Sequence, residues 1–234
     1  MLTGMKLAAP AAAANHEFRD IAPVAPAVAA PGAVGEVAGR AARPLRIVLI
    51  RHGQPAIDPA PVTGRHGFRH YIDAYEASGL DPASAPPEEL QDLVAEIGNV
   101  FTSGRKRADE SARALAPGAE LTVNPLFAEA PLASPPIPLL KMKVTKWAVV
   151  SRVLWYAGFN PRIENYRRAR RRAAAAADIL IDRARRDGTA VLVAHGYFNY
   201  LIGAMLRRRG FRQTGSHKAR YWNDVVYERA DSGP

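Results

Sequence analysis

The sequence predicts an α/β fold of three layers, α/β/α, around a mostly parallel central sheet. Two apolar, mostly β-branched runs, Ile47-Val48-Leu49-Ile50 and Val191-Leu192-Val193-Ala194, lie far apart in the chain. Each ends at a histidine and a glycine, His52-Gly53 after Arg51 and His195-Gly196. Short apolar runs without polar alternation are buried on both faces, as the strands of parallel sheets are. From Leu45 onward, strand-like and helix-like stretches alternate, which places helices on both faces of one sheet.

The elements follow in order. Leu45 to Ile50 is the first strand, and Phe68 to Ala77 reads as a helix. Glu88 to Ile97 is a second helix, introduced by Pro86 and Pro87. Asn99 to Thr102 is a short strand, Lys106 to Leu115 a helix, and Leu121 to Asn124 a further strand. Arg162 to Arg186 forms one long helix stopped by Gly188. Thr189 to Ala194 is a strand, Phe198 to Arg208 a helix ending at Gly210, and Tyr221 to Tyr227 the last strand.

Residues 1–44 are rich in Ala, Pro, Val and Gly and have no amphipathic period, so they read as a flexible tail. Pro10 interrupts the alanines that follow Lys6, which weakens a secretory-signal reading. The domain is therefore expected over residues 45–234. Within it, 131–161 opens with prolines and then turns apolar and aromatic, with Trp147, Trp155, Tyr156 and Phe159. It has no acidic residue but carries Lys141, Lys143, Lys146 and Arg152. It is too short and too charged to span a bilayer, and reads as a cap or lid over the active site, with ordinary core packing and a membrane-surface contact as the alternatives.

The chain of 234 residues has no cysteine, so disulfides and thiolate metal sites are excluded, as suits a cytoplasmic protein. Its net charge of +10 favours anionic ligands. The densest basic run, Arg167, Arg168, Arg170, Arg171 and Arg172, reads as the solvated face of the long helix. No base-reading module accompanies it, so nucleic acid is not an expected partner.

Ligands of open α/β sheets bind beyond the carboxyl ends of the strands. His52 and His195 are delivered to that edge, with Arg51 a permanent charge beside the first. A second Arg-His-Gly, at Arg65-His66-Gly67, follows no strand. His66 and His70 share a helical face, as two metal ligands would, but no third ligand stands at a convincing spacing. No metal or cofactor is expected.

Arg51-His52-Gly53 after a first strand, with His195-Gly196 after a late one, resembles the histidine phosphatase superfamily, the phosphoglycerate-mutase-like fold. Ser103-Gly104-Arg105-Lys106-Arg107-Ala108 resembles the family's helix-start motif, which carries its second phosphate-clamping arginine onto Arg107. Ser111 stands where the family has Thr. Leu126-Phe127-Ala128-Glu129 resembles the stretch holding the family's proton donor, which falls on Glu129. Asp58 replaces an Asn common in the family, and the Gly- and Glu-rich continuation of many mutases is replaced by Ala130-Pro131-Leu132-Ala133-Ser134.

The resemblance implies a metal-independent phosphatase acting through phosphohistidine. His52 is the expected nucleophile, Glu129 the acid and then the base, and Arg51, Arg107, His195 and Gly196 the phosphate site. Gln54 and Arg105 are further substrate-binding candidates. Asp58, Asp73 and Glu110 are the competing carboxylates. The substrate is expected to be a phosphorylated small molecule or a phosphoprotein. A phosphomutase of the same fold and a non-catalytic phospho-ligand binding protein are the alternatives.

Overall fold

Leu45–Arg51 forms β1, and its apolar residues divide between the two faces of the sheet. Leu45, Ile47 and Leu49 join one core, and Val48 and Ile50 join the other. A strand buried on both faces needs no polar alternation, which is why its sequence shows none. The computed structural model describes residues 44–230. The tail expected over 1–44 lies outside the described residues except for Pro44.

The other strands are β2 (Val62–Thr63), β3 (Asn99–Thr102), β4 (Glu120–Val123), β5 (Met142–Lys143), β6 (Thr189–Ala194), β7 (Arg212–Thr214) and β8 (Asp224–Arg229). The helices are α1 (Arg65–Ala77), α2 (Glu88–Val94), α3 (Lys106–Leu115), α4 (Val144–Tyr156), α5 (Tyr166–Asp187) and α6 (Gly196–Arg208). The main sheet is six-stranded, in the order β4-β3-β6-β1-β8-β7. β4, β3, β6 and β1 run parallel, and β8 is antiparallel to both its neighbours. β2 and β5 form a separate two-stranded ribbon.

Helices α5 and α6 cover one face. The buried side of α5 is mostly alanine, Ala169, Ala173, Ala176, Ala177 and Ala184, so its backbone can approach the sheet closely. Helices α2 and α3 cover the other face through Leu90, Val94, Ala112 and Leu115. A third apolar cluster, Phe68, Val144 and Trp147, joins α1 to α4 away from the sheet. The Trp147 ring stacks on Phe68 with centroids 5.8 Å apart, and its indole nitrogen donates to the Thr63 carbonyl at 2.8 Å.

Several expected boundaries move, and helix α1 begins at Arg65 rather than Phe68 and α6 at Gly196 rather than Phe198. The long helix begins at Tyr166 rather than Arg162, because Arg162 has φ 55° and the Asn165 side chain caps the helix by accepting from the Arg168 amide at 2.9 Å. The last strand begins at Asp224 rather than Tyr221, because Trp222 has φ 55° and breaks the extended run. Helix α2 ends at Val94, short of Ile97. The sequence reading also lacked β7 and the β2–β5 ribbon, whose members are only two or three residues long, so Arg65-His66-Gly67, expected to follow no strand, in fact follows the two-residue β2 and opens α1. Among the described residues, no helix is long and apolar enough to cross a membrane.

Candidate active site

The parallel strands β1, β3 and β6 point their carboxyl ends at one place. β1 ends at Arg51 and His52, β3 runs into Ser103, and β6 runs into His195. The junction is wired by backbone: the His52 amide donates to the Ala194 carbonyl at 2.9 Å, and the Arg51 amide donates to that of Asn223 at 2.9 Å. From α6, the Asn199 side chain donates to the Ile50 carbonyl at 3.0 Å. Gly53 is required by crowding, since a β-carbon there would come within 2.5 Å of both the Leu80 and the Trp222 side chains. Its amide donates to Ser111 Oγ at 2.9 Å, and that hydroxyl donates to the Arg107 carbonyl at 2.6 Å. A hydroxyl at Ser111 thus ties the histidine loop to the helix that carries Arg107.

His52 is buried, and its Nδ1 lies 2.7 Å from the Gly53 carbonyl. A carbonyl only accepts, so Nδ1 carries the proton and Nε2 keeps its lone pair. Burial, with Arg107 and Arg51 nearby, pushes the His52 pKa down to about 3 despite the Gly53 hydrogen bond. The ring is therefore neutral at neutral pH. The His195 ring centroid is 5.3 Å from that of His52. His195 Nε2 lies 2.8 Å from Ser103 Oγ and its Nδ1 3.4 Å from an Arg107 nitrogen. Burial, then the charges around it, hold His195 well below its ordinary pKa.

Arg107 is fully buried. It donates to the Tyr75 carbonyl at 2.9 Å and to Glu76 Oε1 at 3.0 Å, and its guanidinium lies 4.6 Å from the Tyr75 ring centre. The exposed Arg105 reaches the other oxygen of Glu76 at 3.2 Å. Arg51 donates to the Ala219 carbonyl at 2.6 Å and stacks over Tyr221 at 4.4 Å. Gly196 leaves room for the Arg51 side chain, whose Cδ would stand 3.1 Å from a β-carbon there.

Glu129 approaches from the segment after the 3₁₀ turn Pro125–Phe127. One carboxylate oxygen accepts from the Ala130 amide at 2.9 Å, and the other accepts from the Tyr197 amide, in the first turn of α6, at 3.2 Å. Burial raises its pKa, against the opposing pull of Arg152 and the two amides. Arg172, expected on a solvated face, instead holds this segment in place. It donates to the Leu126 and Ala128 carbonyls at 2.8 and 2.6 Å, pairs with Glu164 at 2.7 Å, and lies 3.8 Å over the Phe198 ring. Arg167, Arg168 and Arg171 are exposed.

A cavity of about 680 Å³ brings together Arg51, His52, Arg105, Arg107, Glu129, His195 and Gly196. Gln54 does not line it. The Gln54 backbone is turned away, with its amide on Ser84 Oγ and its carbonyl taking the Asp81 amide, both at 2.8 Å. Asp58 is exposed and caps the Ala60 amide at 3.0 Å. Glu110 accepts from the Leu80 amide at 2.6 Å, and Asp73 is exposed. His66 and His70 are exposed on α1, and no group of three metal-ligating side chains occurs among the described residues. The cavity also holds residues that the sequence reading passed over: Tyr75, Glu76, Arg152, Tyr197 and Tyr221.

The family model described as the histidine phosphatase superfamily, branch 1, matches residues 47–219. The chain belongs to the histidine phosphatase superfamily. A comparison with curated proteins gives no match. Among solved structures, this superfamily member is similar to an open reading frame product of Mycobacterium tuberculosis, at 17% identity and TM-score 0.51, covering 79% of this chain and 94% of that one. A phosphoserine phosphatase from Entamoeba histolytica is 14% identical with TM-score 0.48, covering 80% and 95% of the two chains. A phosphoglycerate mutase from Bacillus anthracis is 13% identical with TM-score 0.46, covering 82% and 94%. The first of these likenesses is one of fold. Membership of this superfamily supports phosphatase or mutase activity in general.

Proposed function

We propose that this superfamily member is a metal-independent phosphatase that hydrolyses a phosphate monoester through phosphohistidine on His52. The observation that carries the proposal is the fixed tautomer of His52. Its proton is committed to the Gly53 carbonyl at 2.7 Å, which leaves Nε2 as a neutral nucleophile at the cavity.

Arg51 and Arg107 supply planar charged forks to the phosphoryl oxygens, and His195 adds a further hydrogen bond when its Nε2–H turns from Ser103 to a phosphoryl oxygen. Nε2 of His52 forms a bond to phosphorus as the bond from phosphorus to the ester oxygen breaks. The Glu129 carboxyl gives its proton to that departing oxygen. The resulting carboxylate takes a proton from water, whose oxygen attacks phosphorus and breaks the P–N bond. Inorganic phosphate leaves, and His52 and Glu129 return to their starting forms. Segment 131–161 acts as the cap, with Val144, Ala148 and Arg152 of α4 lining the cavity opposite the strand ends. The substrate is a phosphorylated molecule of the cytoplasm, the compartment that a cysteine-free chain suits.

The decisive test is phosphate release from an aryl phosphate, with and without a bisphosphoglycerate primer. Primer-independent release supports the hydrolase. Transfer that depends on primer would assign a mutase, and binding without release a phospho-ligand protein.

Glu76 sets a price on phosphate binding, because it is the resident partner of Arg105 and Arg107 at 3.2 and 3.0 Å. A phosphoryl dianion drawn to the same guanidinium groups competes with it. Glu76→Gln should therefore lower KM and the inhibition constant of inorganic phosphate by about three- to tenfold, the scale of one charge-assisted contact. It should also destabilise the phosphate-free protein by about 1–3 kcal/mol, since buried Arg107 loses its charged partner. Phosphate should raise the melting temperature of the variant more than that of the wild type. Unchanged KM and phosphate inhibition would show that Glu76 does not compete.

A further inference from the structure

We propose that the site is built for phosphate monoesters of bulky apolar alcohols, with one phosphoryl group on a hydrophobic body. This rests on the phosphatase reading and narrows its substrate class.

The cavity of about 680 Å³ lies in the range of sites that enclose a whole small molecule. Arg51, Arg105 and Arg107 gather at one end, around His52. The far wall is different in kind. Phe68 and Ile72 come from α1, Leu132 from the irregular stretch before β5, and Val144 and Ala148 from α4. These residues belong to the apolar cluster built on Phe68, Val144 and Trp147. The indole nitrogen of Trp147 is committed to the Thr63 carbonyl, so the cluster presents hydrocarbon to the cavity. Val149, 63% exposed, continues that surface to the mouth.

A second anionic group on the substrate would find little to pair with. Arg152 donates to the Ala130 and Pro131 carbonyls at 3.0 and 3.3 Å and lies 4.1 Å over the Tyr197 ring. His217 lies 2.8 Å from the Tyr227 hydroxyl, and burial pushes its pKa down to about 4, so it is neutral at neutral pH. The exposed Lys218 is the remaining cation of the lining away from the phosphoryl end. The hydroxyls of a sugar phosphate would lose water against an apolar wall that only the Tyr71 and Thr145 hydroxyls interrupt, and an alkyl or ring body would gain by burial there. The body can come from a dissolved ester or from a lipid phosphate, since both present the same chemistry.

The test is kcat/KM over ethyl, butyl, hexyl and octyl phosphate below their micelle concentrations, beside glycerol 3-phosphate and glucose 6-phosphate. The alkyl esters share one leaving-group basicity, so the series isolates contact with the wall. The expected rise is about two- to fourfold per methylene, from the transfer of each into an apolar site. The polyol esters should fall at least about 100-fold below octyl phosphate. Ala148→Asp should cut the octyl-to-ethyl ratio about tenfold, and Val149→Asp, on the exposed rim, about threefold. A phosphatidic acid arm in phosphatidylcholine vesicles separates the sources: turnover there at or above the octyl phosphate rate assigns a lipid phosphate, and a lower rate assigns a dissolved ester.

A flat alkyl series, or polyol esters turned over as well as octyl phosphate, would overturn the substrate class and leave the phosphatase reading standing. Should no ester release phosphate, the phosphatase reading fails, and calorimetry with octylphosphonate and ethylphosphonate still decides the wall. Tighter binding of octylphosphonate would uphold an apolar ligand site, and equal binding would overturn it.

Discussion

His52→Ala should reduce turnover of every phosphate ester by at least about 10³-fold, since no covalent intermediate can form without the nucleophile. The same variant should fold. His52 stands at the end of β1, after the strand hydrogen bonds are made, and its backbone amide still reaches the Ala194 carbonyl. The loss is the Nδ1 contact to Gly53, which strands one buried carbonyl at a cost of about 1–3 kcal/mol. Wild type exposed to a labelled ester and quenched should carry an acid-labile, base-stable label, and the variant should carry none. A label that persists in His52→Ala would move the nucleophile to another side chain, with His195 the first to examine at 5.3 Å between ring centroids.

What could be read in the sequence was what depends on local chemistry. β1 and β6 are apolar without alternation because both their faces are buried, so their ends, and the histidines there, were visible. The resemblance of Ser103 to Ala108 to the family's helix-start motif puts the clamping arginine at Arg107, and the structure places Arg107 in the interior and Arg105 at the surface. What could not be read depends on tertiary approach. Glu76 reads as an ordinary helix-surface glutamate until α1 is laid beside α3. Arg172 is one arginine of a basic run, and only packing of α5 against the Glu129 segment separates it from Arg171. Tyr221 reads as part of a strand, and the positive φ of Trp222 instead frees it to stack with Arg51. Gln54 adjoins the motif, but its backbone bonds to Ser84 and Asp81 carry it off the cavity.

Glu129→Gln should slow alkyl phosphates by about 10²- to 10⁴-fold and nitrophenyl phosphate far less, the range that general acid catalysis commands. An alkoxide is a poor leaving group and must take a proton as its bond to phosphorus breaks, whereas a nitrophenolate leaves with little help. Gln keeps the size of Glu and its one oxygen can still accept from one of the two amides of Ala130 and Tyr197, but its NH2 cannot accept from the other and it has no acidic proton to give. The pH profile carries the same argument. Glu129 must be protonated to act, and burial raises its pKa, so the acid form persists to higher pH than in an ordinary carboxyl. The rate on alkyl esters should therefore fall as pH rises through that raised pKa. In the variant, and for wild type on nitrophenyl phosphate, that alkaline limb should be missing or shallow. His52 does not blur the result, because its pKa of about 3 keeps it in the nucleophilic form throughout this window. Equal losses on both ester classes would make Glu129 a positioning residue, acting through the Tyr197 amide at the start of α6. No loss on either would take the acid role away from Glu129.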